Sequence, residues 1–147
     1  MNFTFINTSS AFTDLLNQDS IADFLYNHLD QYGDKLEDIK NCIDYAMSEE
    51  KGMGGYILAA HEDEKIAGVV VINQTAMKGY IPGNILVYIA VHGDFRGRGV
   101  GTQLMEKIIE NTDDDIALHV EPDNPARKLY EKLGFESKYL EMRYTLK

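Results

Sequence analysis

The segment Arg96-Gly97-Arg98-Gly99-Val100-Gly101-Thr102 combines residue types that together could do chemistry. It follows an apolar run and precedes a stretch of helical periodicity. Glycines let a chain wrap tightly, so that several backbone N–H groups converge on one anion. The helix that follows adds its unpaired first-turn amides and the positive end of its dipole. Arg96 and Arg98 can add charge-assisted hydrogen bonds to phosphate oxygens. These are the parts of a pyrophosphate cradle. Two familiar cradles are excluded. A Walker loop needs Gly-Lys-Ser/Thr, and here Gly101 is followed directly by Thr102. A dinucleotide fingerprint, G-x-G-x-x-G, would end at Thr102 if begun at Gly97 and at Leu104 if begun at Gly99. A plain strand-to-helix turn would use the same glycines, so this segment alone leaves its ligand open.

A second segment, Asn124-Pro125-Ala126-Arg127-Lys128-Leu129-Tyr130-Glu131-Lys132-Leu133-Gly134-Phe135, narrows the choice. Asn before Pro is a good helix start, with Pro at the first helical position. Taken with Arg96-x-x-Gly99-x-Gly101, the segment resembles the GNAT superfamily of acetyl-CoA-dependent N-acetyltransferases. The resemblance is sharp over residues 84–135 and only topological over the N-terminal half. It implies an α/β acyl-CoA N-acyltransferase fold: a mixed sheet of six to seven strands, splayed fourth and fifth strands, and about four helices. It also implies acetyl-CoA as cosubstrate, no metal, and direct attack by a primary amine in a ternary complex. The backbone of Ile89 and Val91 would bond the pantetheine arm, and one amide there would hold the thioester carbonyl and its oxyanion. The amides of Gly97, Arg98, Gly99, Val100, Gly101 and Thr102 would hold the pyrophosphate. Asn124 matches a position that contacts the cofactor arm, and Tyr130 the tyrosine that faces the departing sulfur. A non-catalytic acetyl-CoA sensor or interaction module of the same fold is the alternative.

The amine's proton needs an acceptor, because an alkylammonium with a pKa near ~10.4 is almost wholly charged at neutral pH. Some branches of the family place a glutamate in the fourth strand, where this chain has Ile85. Others place one in the fifth strand, where it has His119. An imidazole suits the work. Glu121 and a water chain compete for the role. His28 and His61 carry no metal-ligand spacing.

The elements that must position these groups follow from periodicity. Phe3 to Ile6 reads as a strand. Ile21, Phe24, Leu25 and Leu29 fall at helical spacing, as do Leu36, Ile39, Ile43 and Ala46 or Met47. Tyr56 to Ala60 and Ile66 to Ile72 read as paired strands around a polar turn. Asn84 to Val91 is a nearly unbroken apolar strand of the kind buried on both faces. Val100, Leu104 and Ile108, with Ile109 beside it, predict a helix, Ile116 to Val120 a strand, and Pro125 to Leu133 a helix capped by Gly134. Tyr139 to Leu146 alternates and reads as a final strand. No linker or repeat interrupts the chain, so 1–147 is expected to be one domain.

The formal charge is 14 minus 24, or -10, which disfavours nucleic acid and anionic lipid as partners. Residues 1–80 hold 5 Lys/Arg against 13 Asp/Glu, and residues 81–147 hold 9 against 11, so the acid lies mostly in the first half. Asp30, Asp34, Glu37 and Asp38 would suit a cationic amine, although a solvated helix face explains them equally. Cys42 is the sole cysteine, which excludes an internal disulfide. With neither a signal-like N-terminus nor a membrane-length apolar run, the expected location is the cytoplasm. The expected partner is a small-molecule or peptide amine, with a homodimer compatible with these features.

Overall fold

A computed structural model describes residues 1–146. Five strands form one sheet in the order β1 (Asn2–Ile6), β2 (Gly55–Glu62), β3 (Lys65–Gln74), β4 (Asn84–Val91) and β5 (Ile116–Leu118). Neighbours are antiparallel except β4 and β5, which run parallel. Helices α1 (Gln18–His28) and α2 (Leu36–Met47) cover one face, and α3 (Val100–Asn111) and α4 (Ala126–Lys132) the other.

Strand alternation sorts the core. Ile57, Ala59, Val69 and Val71 point to α1 and α2, while Leu58, Ala60, Val70 and Ile72 point to α3. Both faces are covered, which is why β2 and β3 read as nearly continuous apolar runs. The hairpin between them turns on Asp63 and Glu64, both in the left-handed region (φ 51 and 59), which matches the twist of the flanking strands. Gly68 allows α3 to lie close. A Cβ there would stand 2.8 Å from Leu104 Cδ1 and 3.3 Å from Val100 Cγ1. The first helix begins earlier than its apolar spacing suggests. Asn17 Oδ1 accepts from the Ser20 amide at 3.0 Å while Ser20 Oγ accepts from the Asn17 amide at 2.9 Å, a reciprocal cap.

Four expectations are corrected. The sheet has five strands, not six to seven. The fifth stops at Leu118, two residues short of Val120. Tyr139 to Leu146 forms no strand; Tyr139, Leu140, Met142, Tyr144 and Leu146 are 84–91% exposed. A strand needs a neighbour, and alternation supplies only the pattern for one. Ile109 also turns outward, leaving Ile108 buried.

Candidate functional site

The site begins where β4 and β5 part. Their register joins Asn84, Ile85 and Leu86 to Ile116, Ala117 and Leu118, and no pair follows. Asn84 fastens the closed end: its amide donates to the Asp115 carbonyl at 3.1 Å, and its side-chain Nδ2 to the same oxygen at 3.4 Å. Beyond Leu86, β4 has β3 on one side and, among the described residues, no strand on the other. A bulge also falls here. Val71 pairs with Tyr88 and Ile72 with Leu86, which leaves Val87 over. The extra residue re-aims the strand. Leu86, Ile89 and Val91 therefore pack on the α3 side, and Tyr88 and Ala90 on the α1–α2 side.

The open half of β4 leads through a short connection into the glycine turn. His92 Nδ1 accepts from the Asp94 amide at 3.0 Å, starting a short 3₁₀ turn at Gly93–Phe95. Gly97 (φ 78) and Gly99 (φ 77) then take left-handed conformations, and Gly99 caps α3. A Cβ on either would meet nothing within 4 Å, so their backbone borders open space. A cleft of about 280 Å³ lies there, lined by Val91, Phe95, Gly97, Gly99, Thr102 and Leu129 among others. Gly101 keeps its floor low, with Val91 Cγ2 and Leu129 Cδ2 at 3.7 and 3.8 Å from where a Cβ would sit.

Neither arginine is free to serve this cleft alone. Arg96 donates from Nε to the Val91 carbonyl at 3.3 Å, and from Nη2 to the His28 carbonyl at 3.2 Å and Asp30 Oδ2 at 3.1 Å. Arg98 lies over the Phe95 ring, 4.9 Å from its centroid, with Glu62 Oε2 at 3.7 Å from its Nη2. Backbone amides thus carry the cradle's unneutralised positive potential. Asp30 and Glu62 lie 66 and 36 residues away from their arginines, so no local pattern announces either pairing.

Tyr130, on α4, is buried, with its ring 6.0 Å from that of Phe135. Its hydroxyl makes no hydrogen bond among the described residues, and burial pushes the phenol up to about 12. Asn124 holds the start of α4: its Oδ1 accepts from the Ala126 amide at 2.9 Å and its carbonyl from the Arg127 amide at 3.0 Å. His119 is exposed and follows the last residue of β5. Partial burial, then the carboxylates of Asp123 and Glu121, raise the Tyr32 phenol above its ordinary value. Tyr88 donates to Asp34 Oδ2 at 2.5 Å, and burial followed by that carboxylate raises its phenol far above the usual range. The α1–α2 connection therefore brings Asp34 to the β4 wall, a link the sequence reading missed because its partners are 54 residues apart.

Residues 53–137 match the family model described as the acetyltransferase (GNAT) domain. The chain belongs to that family of acetyltransferases. Solved structures agree in fold. A putative acetyl transferase from Pyrococcus furiosus is 21% identical, with 99% of this chain and 100% of that one covered at a TM-score of 0.64. A possible acetyltransferase from Clostridium difficile 630 is 19% identical, with 99% of each chain covered at 0.69. The ribosomal-protein-S18-alanine N-acetyltransferase from Escherichia coli is 17% identical, with 94% of this chain and 80% of that one covered at 0.66. No curated protein matches the chain significantly by sequence. Among the described residues, no helix is long and apolar enough to cross a membrane.

Proposed function

We propose that this chain transfers acetyl from acetyl-CoA to a primary amine by direct attack. The observation that carries this reading is the half of β4 left open on its β5 side, which leads through the Gly93–Phe95 turn into a glycine turn on the first amides of α3. The residues present fit an acyl-CoA. The backbone of Ile89 and Val91 lies along the open edge, an acceptor and donor row of the kind an amide-bearing arm pairs with. The amides from Gly97 to Thr102 suit a pyrophosphate, since Gly97 and Gly99 border open space and the helix dipole favours an anion. When bound, acetyl-CoA supplies the activated thioester.

The chain's own groups do the rest. A β4 amide at the open edge stabilises the oxyanion. Tyr130 donates a hydrogen bond toward the sulfur position. With its phenol near 12 and a thiol near ~8.5, full proton transfer would be uphill by roughly 5 kcal/mol, so Tyr130 stabilises the leaving thiolate without surrendering its proton. His119, exposed at the end of β5, is the proposed acceptor of the amine's proton, directly or through water. Asp34, Glu121 and Asp123 give this side of the gap a negative potential, which suits a cationic small amine or peptide amine. The name of the Escherichia coli neighbour, a ribosomal-protein-S18-alanine N-acetyltransferase, favours the latter.

An amine-panel assay for released CoA thiol tests the reading. Turnover with a subset of cationic amines is the expected result. Tight CoA binding without thiol release across the panel would make the chain an acetyl-CoA-binding module instead. If His119 is the base, the acid limb of kcat/KM against pH disappears in His119→Gln; an unchanged limb moves the role to Glu121 or water.

A further inference from the structure

The glycine turn is reached through a connection that one imidazole holds. His92 follows the last residue of β4, and its backbone is fixed, the amide donating to the Ala67 carbonyl of β3 at 2.8 Å. Its side chain then starts the Gly93–Phe95 turn, with Nδ1 accepting from the Asp94 amide at 3.0 Å. A backbone amide can only donate, so this bond requires Nδ1 without a proton. The Phe95 amide returns to the His92 carbonyl at 2.9 Å and the Arg96 amide to the Gly93 carbonyl at 3.4 Å. These bonds carry the geometry of the turn into Phe95 and Gly97, which line the cleft.

The His92 side chain is 21% exposed, open enough to exchange a proton with water. From α1, His28 stacks on it with centroids 4.2 Å apart and Phe24 lies at 6.3 Å, while Phe95 meets it edge-on at 6.0 Å. The charged groups around it are Asp94, whose Oδ2 is 3.9 Å from Nδ1, and Arg96 with its partner Asp30. Lys65, at the start of β3, holds Asp94 Oδ2 at 2.7 Å, and Arg98, paired with Glu62, lies over the Phe95 ring. Burial first, then His92 and Arg96, lower the His28 pKa, so His28 resists a proton of its own.

We propose that His92 is a positioning residue for the cradle and its proton switch: the neutral imidazole holds the turn in the CoA-binding form, and protonation releases it. This rests on the reading of the glycine turn as a CoA cradle. Once Nδ1 is protonated both ring nitrogens donate, so neither a tautomer nor a ring flip restores an acceptor for the Asp94 amide. Two donors then face each other across 3.0 Å. Asp94 cannot keep both its present partners, because its amide loses Nδ1 while its carboxylate is drawn from Lys65 toward the new N–H. Repulsion from Arg96, whose guanidinium ties the turn to the His28 carbonyl and Asp30, adds to the disruption. An anionic ligand favours a charged ring, but salt screens that attraction and does not replace the lost acceptor. CoA affinity therefore falls as the pH drops through the range in which imidazoles titrate, about 5 to 8.

Calorimetric CoA titrations across that range test this. Binding is the readout, since the proposed base His119 and the amine both titrate in turnover. His92→Asn supplies a side-chain oxygen that accepts from the amide two residues on and takes up no proton. His92→Phe keeps an aromatic ring in the stack and supplies no acceptor. The wild type should lose roughly five- to tenfold in affinity on acidification, about the worth of one hydrogen bond. His92→Asn should lose less, and His92→Phe should be weak at every pH. The 3′-phosphate of CoA titrates near ~6 as well, but equally for all three proteins, so the difference between them is the result. In the ligand-free protein the Asp94 amide resonance should follow the His92 imidazole as pH changes. An acid loss of full size in His92→Asn would overturn the proposal, as would an Asp94 amide that does not titrate. Absence of CoA binding by the wild type at any pH would overturn the cradle reading, and the Asp94 amide would then decide separately whether the imidazole controls the turn.

Discussion

Tyr130 illustrates how a single environment divides binding from rate. Its ring is part of the core between α4 and the sheet, while its hydroxyl has no protein partner among the described residues. Tyr130→Phe retains the packing, so CoA affinity and melting temperature should stay close to wild type. The lost hydrogen bond strengthens only as charge grows on sulfur, so the defect should appear in kcat. Proton-transfer roles are worth roughly 10²–10⁴-fold, and a donor that keeps its proton should fall at or below the lower bound. A folded variant with wild-type kcat would reduce Tyr130 to packing. Gly99 allows a similarly clean separation. Its left-handed φ makes any side chain cost about 1–2 kcal/mol, but a Cβ there meets open space and displaces nothing. Gly99→Asp should therefore fold, while its carboxylate competes for the α3 amides. CoA affinity should fall by roughly tenfold or more in calorimetry. Unchanged affinity in a folded variant would remove the cradle assignment.

At the scale of elements, helices were legible where a 3.6-residue pattern faced a sheet: Ile39, Ile43 and Ala46 are buried as their spacing requires. The glycine turn and the Asn124–Phe135 helix were legible because local chemistry defines them. The bulge at Val87 was not, since an extra residue in one strand shows only against its partner's register. Arg96 and Arg98 read as ligand arginines for the same reason: their carboxylates are distant in sequence. One junction of elements carries a pH dependence. His28 stacks on His92, with ring centroids 4.2 Å apart, where the end of α1 meets the β4–α3 turn. Burial first, then His92 and Arg96, lower its pKa below 6.5, outweighing Asp30 and Asp94. The unfolded chain therefore binds this proton more readily than the folded one. Its contribution to stability is complete above pH ~6.5 and declines as pH falls through the lowered folded value. Melting temperatures measured downward from neutral pH should fall less steeply in His28→Gln than in wild type, and parallel curves would refute the assignment.

For the molecule as a whole, the pairing of Arg96 with Asp30 and of Arg98 with Glu62 changes how a polyanion must arrive. Most phosphate sites attract their ligand from a distance with exposed cations. Here those cations are matched by carboxylates, and the molecule around them has a formal charge of -10. Beyond a Debye length, about 10 Å at 0.1 M salt, an approaching CoA meets net repulsion, and only at contact does it find the directed amides of the glycine turn. Stopped-flow association should therefore quicken or hold level as salt rises from low ionic strength, where a basic cradle would slow steeply. A steep decline would mean that the arginines are electrically available after all. With long-range steering absent, diffusing anions are not gathered indiscriminately. Selection passes to the last few ångströms, where a ligand stays only if its whole length matches the open strand and the turn beyond it.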